Sequence, residues 1–209
     1  MVATAQTRRP NRSGAATRAA LVSAARETLV QDGFARTSAR SVAARAGCSQ
    51  ASLFYHFEGV PELLLAVLDE VSDRRMAAYR EPLLAARTPR QLARLGRTIA
   101  ADDIASGDLR VLVELVAGAP TVPGLKAQVA RRIGRWEDLV ARAAQRFIPP
   151  PLRGTVRPAV LAHAVVAGFL GLELLRDLRE DGAGTEDVLT DLAHVGRLAA
   201  GAPDAGGPS

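Results

Sequence analysis

From Thr17 onward, Leu21, Ala24, Ala25, Thr28 and Leu29 recur at helical spacing, while Ser23, Arg26 and Glu27 fall on another side. This spacing predicts an amphipathic helix. Gly33 stops it, and the apolar Phe34 that follows predicts a left-handed C-cap with its hydrophobic contact. A short second helix is predicted next, capped by Thr37 or Ser38, with Val42, Ala43 and Ala46 inward and Gly47 as its breaker. Ser49 caps a third helix reaching His56, because its hydroxyl can accept an orphan amide of the first turn. Two short helices joined by a glycine-containing turn make a helix-turn-helix.

From Pro61 the pattern lengthens. Leu63, Leu64, Val67, Leu68 and Val71 predict a long helix that Pro82 ends or kinks, and Pro89 fits the first turn of the next. Further helices are predicted near 90–105, 108–117, 123–147, 157–179 and 185–200, separated by Gly107, Gly118 to Pro123, Pro149 to Pro151 and Gly182 to Gly184. Neither strand alternation nor a fixed-period repeat is visible. The expected fold class is all-α: a disordered basic arm (1–15), a three-helix helix-turn-helix domain (16–60), a helical domain (61–201) and a disordered Gly/Pro-rich tail (202–209).

Composition sharpens this picture. Apolar residues make up 48% of the chain and aromatics 4%, mostly leaving Ala, Leu and Val, which favours helices. Cys48 is the single cysteine, so no internal disulfide framework or four-thiolate zinc site can form, and a cytoplasmic location is expected. Arg8, Arg9 and Arg12 precede no apolar run of the secretory kind. Ala159 to Leu175 is apolar but contains His163 and Glu173 and falls short of 18 uncharged residues, so no membrane partner is expected.

The charge distribution changes the functional reading more. Residues 1–57 hold eight arginines against Glu27 and Asp32, a net of +6 within a chain whose total is +5. A basic module joined to a nearly neutral body suits a nucleic-acid reader with a separate second function. Arginine outnumbers lysine so heavily that a compositional bias is at work, but such a bias does not exclude acids from one end.

Little speaks for catalysis. Neither a Gly-x-Ser-x-Gly nor a phosphate-loop motif occurs, and Gly182-Ala183-Gly184 follows acids rather than a strand. His163 and His194 lack clustered acids and read as structural or pocket residues rather than metal ligands. Cys48 reads as a small buried filler rather than a redox sensor. No enzyme activity, metal or cofactor is expected. Trp136 is either core or pocket wall. Ala164, Ala167, Gly168 and Gly171 make one helix face smooth enough for close helix–helix approach.

The ordered set Ala43-Ala44-Arg45-Ala46-Gly47-Cys48-Ser49, Leu53-Phe54-Tyr55-His56-Phe57 and Glu62-Leu63-Leu64 resembles the N-terminal domain of the TetR family of transcriptional repressors. Gly33-Phe34 and Thr37-Ser38 match the same pattern, so the resemblance runs over residues 17–65; the rest matches only in length and helical character. Base-edge contacts then fall to Gln50, Ala51 and Ser52 at the start of the reading helix. Arg40 reaches guanine or phosphate, and Thr37, Ser38, Tyr55 and His56 suit phosphate, while Phe57 plugs the core. Phe54 stands where the family commonly has tyrosine and Val60 where it commonly has lysine, and both departures remove a phosphate-binding group.

The resemblance implies a ligand-responsive repressor that binds a near-palindromic double-stranded DNA operator as a homodimer and is released by a small-molecule effector. The ligand is expected to tilt the linking helix, residues 61–81, and so change the separation of the two reading helices. The last two long helices are expected to form the dimer interface, a duty that the Ala164, Ala167, Gly168 and Gly171 face fits. An apolar or aromatic effector is expected, lined by Met76, Leu115, Trp136 and Phe169. Two alternatives stay open: a regulator governed by a protein partner without an effector, and a helical enzyme with a vestigial reading domain.

Overall fold

Among residues 12–177, which the computed structural model describes, the backbone forms eight α-helices and no strand. The chain divides into two compact units, Met1–Val67 and Leu68–Ser209.

In the first unit, α1 (Arg12–Asp32) begins ahead of Thr17, so residues 12–15, expected in an unstructured arm, are helical. Extending an existing helix adds one hydrogen bond per residue fixed, which here carries the helix through Ser13 and Gly14 despite their lower propensity. Leu21, Ala24, Ala25, Thr28 and Leu29 are all buried as their spacing predicts, and the Thr28 hydroxyl donates to the Ala24 carbonyl at 2.7 Å. Gly33 ends the helix at φ 81°, ψ 173°, a region open essentially to glycine alone, and not in the left-handed helical cap expected of it.

A single 3-10 turn, Phe34–Arg36, leads to α2 (Ala39–Arg45). Ser38 is its N-cap: the Ser38 hydroxyl accepts the Ser41 amide at 3.1 Å, and the Ser41 hydroxyl accepts the Ser38 amide at 2.9 Å. Two orphan donors are thereby satisfied reciprocally. At the other end Gly47 takes φ +66°. Its amide donates to the Ala44 carbonyl at 3.2 Å and the Cys48 amide to the Ala43 carbonyl at 3.0 Å, the paired bonds of a Schellman stop. Cys48 is half-buried in this turn rather than buried as expected, because the bond that fixes it is made by its backbone.

Ser49 caps α3 (Gln50–His56) by accepting the Ser52 amide at 3.2 Å. The first turns of α4 (Val60–Ala85) follow, with the Glu62 carboxylate accepting the Glu58 amide at 2.6 Å. Leu53, Phe57, Leu63 and Val67 close the core with Leu21 and Leu29, each essentially shielded from water. Full burial of such a side chain contributes about 1.5–3 kcal/mol. The Arg18 guanidinium lies 4.9 Å above the Phe57 ring, and Arg45 ties α2 to the end of α1 through Gln31 and Asp32 at 2.6 Å each.

The second unit holds the rest of α4 with α5 (Pro89–Ser106), α6 (Asp108–Gly118), α7 (Leu125–Ala144) and α8 (Pro158–Asp177). The expectation that Pro82 ends or kinks α4 at that point is corrected in one respect: the helix runs on to Ala85, with the Ala86 amide donating to the Pro82 carbonyl at 3.1 Å. Lying in the last turn, the proline costs one ladder bond rather than an interior stretch. Arg146 also donates to the Leu83 and Leu84 carbonyls at this end, at 3.2 Å for the former. Pro89 stands in the first turn of α5 behind a Thr88 cap, and Gly107 ends α5 at φ 73°.

Four ion pairs fasten α4 to its neighbours, the longest from Arg135 of α7 to Asp73 at 3.6 Å. Arg132 of α7 grips Asp69 through two bonds of 2.5 Å, Arg75 pairs with the buried Asp103 of α5, and Arg74 pairs with the buried Asp108 of α6 at 2.5 Å. The helix expected near 185–200, the Gly182 to Gly184 turn and His194 lie outside the described residues.

Candidate functional site

Two arrangements could serve a function, one in each unit. In the first, α3 presents its opening residues outward: Gln50 and Ala51 are exposed, and Ser52 is half-buried with its hydroxyl 3.0 Å from that of Ser49. Leu53 and Phe57 turn inward, anchoring the same helix to the core. The next exposed side chains along α3 are Phe54, 55% exposed, and Tyr55, 79% exposed, both unusual for large rings and both on the side away from the core. His56 is half-buried, its ring edge-on to Tyr55 with centroids 5.0 Å apart. Val60, the first residue of α4, is half-buried.

At the start of α2, Arg40 is exposed. Thr37 and Ser38 are already occupied locally: the Thr37 hydroxyl donates to the Gly33 carbonyl at 2.9 Å, and Ser38 is the helix cap. The Ser38 hydroxyl also lies 3.0 Å from the Ser41 hydroxyl, a pair in which either group can donate. Ser41, which the sequence reading did not single out, completes that cap and also donates to the Arg36 carbonyl at 2.8 Å. Its spacing from Ser38, serine to serine at three residues, was the available signal.

The second unit holds a partly open cavity of about 680 Å³. Trp136 of α7 and Phe169 of α8 line it. Met76 and Leu115 do not: Met76 packs against the core cluster of Leu83, Ile99, Trp136 and Leu139, and Leu115 is fully buried. Residue type alone separates neither from a wall residue, since both environments are apolar.

The polar residues on the wall were missed. They are Ser72, Arg75, Arg97 and Arg132. The signal lay in helical spacing: Leu68, Ser72 and Arg75 share one face of α4, as Arg132, Trp136 and Val140 share one face of α7. The Arg75 guanidinium sits 4.6 Å above the Trp136 ring. Its partner Asp103 is pushed up to about 6, because burial disfavours the carboxylate more than Arg75 restores it, with Asp108 and Asp102 adding repulsion. Tyr79 is pushed up to about 12 by burial and by the bond its hydroxyl donates to Asp102 at 2.5 Å.

On α8, Ala164, Ala167 and Gly168 are exposed and Gly171 is half-buried, and a Cβ added at either glycine would meet open space. Val160, Leu174 and Leu175 extend this apolar face, each more than half exposed. Within the helix, Pro158–Leu175 is long and apolar enough to cross a membrane by length and composition, with mean hydropathy 1.8, although the sequence reading counted it short. His163 bonds Glu137 at 2.7 Å, and no cluster of metal-ligating groups occurs among the described residues.

Comparison with known proteins bears on the first unit most directly. Residues 21–67 match the model of the tetR family of bacterial regulatory proteins. An uncharacterized HTH-type transcriptional regulator of Mycobacterium tuberculosis is 30% identical over 127 residues, 61% of this chain and 65% of the relative. The chain thus spans just under two thirds of that relative's length. A TetR-family transcriptional regulator from Rhodococcus sp. superposes with TM-score 0.69 at 25% identity, covering 88% of this chain and 98% of that one. A TetR-family transcriptional regulator from Agrobacterium tumefaciens shares the fold with TM-score 0.74 at 17% identity, covering 87% and 97%. The capped helix-turn-helix, its outward Gln50 and inward Leu53, and these likenesses together identify residues 21–67 as a DNA-binding domain of the tetR family of bacterial regulatory proteins, on a chain with the fold of TetR-family regulators.

Proposed function

We propose that the chain is a homodimeric transcriptional repressor that reads a near-palindromic operator through α3 and is released when a small molecule enters the cavity of its second unit. The observation that carries this reading is the outward presentation of Gln50 and Ala51 by a helix held from behind by Leu53 and Phe57, inside the segment that matches the family's domain. A helix fits the major groove, a glutamine amide bonds an adenine edge through paired donor and acceptor, and an alanine methyl suits thymine. Arg40, Ser38, Tyr55 and His56 supply donors for the flanking phosphates. Thr37 contributes less, since its hydroxyl proton is given to the Gly33 carbonyl.

One module of this size offers few contacts, so a two-fold pair on two half-sites is the natural assembly. The apolar face of α8 is the surface we assign to it. For release, Leu68, Ser72 and Arg75 place the cavity wall on α4, the helix that also follows α3 in the chain. A ligand must bind the DNA-incompetent arrangement better than the competent one, and a tenfold loss of operator affinity needs about 1.4 kcal/mol of that preference.

Selection of a random-sequence duplex library by the purified chain tests the reading. A palindromic consensus, bound by a species of dimeric mass in sedimentation, is expected. Recovery of no preferred sequence would overturn it.

A further inference from the structure

The cavity wall is more selective than its apolar bulk suggests. Among the described residues its charged side chains are Arg75, Arg97 and Arg132, and no described aspartate or glutamate lines it. Two of the three are neutralised from behind: Arg75 by the buried Asp103, and Arg132 by Asp69 through two bonds of 2.5 Å. Arg97 of α5 is different. It is half-buried, and no ion pair or hydrogen bond joins it to any described residue. A guanidinium partly withdrawn from water gains from a charged partner, and the planar fork of arginine matches an oxyanion such as a carboxylate through two parallel bonds.

A second observation points the same way. The Trp136 indole N–H is buried with no acceptor among the described residues, and so is the Nε–H of Arg75, which lies over the same ring. Trp136 is 8% exposed and the Arg75 side chain 11%. Buried donors without acceptors are uncommon in folded proteins; both are covered by protein and so do not themselves reach an occupant, but their positive ends add to the guanidinium charge at this wall. A cationic occupant would meet three guanidinium groups and no carboxylate on the wall. A purely apolar one would leave Arg97 without a partner.

We propose that the cavity takes an amphipathic organic anion, an apolar body ending in one carboxylate, with the head held by Arg97 and the body lying against Trp136, Val140 and Phe169. This rests on the reading of the cavity as an effector site, and it replaces the expectation of an uncharged apolar or aromatic effector.

Decanoate, decanol and decylamine share one apolar body and differ in the head, so binding of the three to the full chain separates the two ideas. Trp136 is the sole tryptophan, and its emission reports occupancy beside the melting temperature. Decanoate is expected to bind at least about tenfold more tightly than decanol, with decylamine weakest, as a charge-assisted bond to arginine requires. Arg97→Gln should bring decanoate to decanol's affinity while leaving decanol unchanged, and Arg97→Lys should keep most of the preference. Equal binding of decanoate and decanol in the unaltered chain, tightest binding of decylamine, or equal loss of both ligands in Arg97→Gln would overturn the anion assignment while leaving the cavity a ligand site. Such results would mean that Arg97 carries its head out to solvent along its stem. Failure of all three to bind would overturn the effector-site reading and this proposal together.

Discussion

Gln50 stands exposed in the first turn of α3 with nothing in the fold requiring an amide there. Gln50→Ala is therefore expected to leave the melting temperature unchanged and to flatten base preference at one position per half-site, by about 1–3 kcal/mol. Selection of bound sequences checks this, and an unaltered consensus would remove Gln50 from the reading surface. Asp103 makes a claim of the opposite kind, about stability rather than recognition. Its carboxyl is raised to about 6 in the folded chain, above its ordinary value of 3.8, so the folded state holds the proton more firmly than the unfolded one. Stability contributed by this group is thus present at low pH and declines as pH rises from about 4 to about 6, by up to roughly 3 kcal/mol. Between pH 7 and pH 5 the unaltered chain should gain melting temperature relative to Asp103→Asn, which lacks the titration; parallel pH curves for the two would refute it.

At the scale of elements, the helix-turn-helix was legible because its signals are local. Ser38 with Ser41, Gly47, and Ser49 with Ser52 act on neighbours three or four residues away, so the one-dimensional pattern contains the whole cause. The cavity was only half legible. Trp136 and Phe169 declared themselves by size, but Arg75, Arg97 and Arg132 meet there only because α4, α5 and α7 pack together, and no spacing within one helix shows that its partner acids lie behind it. The start of α4 carries a prediction of its own. Val60 is its first residue and half-buried, and Val60→Lys should tighten operator binding and steepen its salt dependence by about 0.9 per new phosphate contact, about 1.8 for a dimer. Phe54→Tyr, at a ring already 55% exposed, should tighten binding with the slope nearly unchanged. A folded Val60→Lys dimer with an unaltered slope would show that this position does not face the phosphates.

For the molecule as a whole, the surface on which the proposed dimer depends is α8. Val160, Ala164, Ala167, Gly168, Leu174 and Leu175 leave an apolar face open, and the two glycines of this helix leave room for close approach by another helix. Ala167→Glu places a charge on that face without touching the core, and is expected to yield a monomer in sedimentation and to lower operator affinity by tenfold or more, roughly the cost of burying an uncompensated charge. A dimer undiminished by this change would move the interface elsewhere. The turn between α2 and α3 contributes one thing more. Cys48 is the chain's sole thiol and sits half-buried beside the reading helix, its backbone fixed by the bond to Ala43. In a symmetric pair, one spin label per protomer at that sulfur would form a molecular ruler between the two reading heads. The width of its distance distribution would record directly whether an occupant of the cavity resets their spacing or merely loosens it.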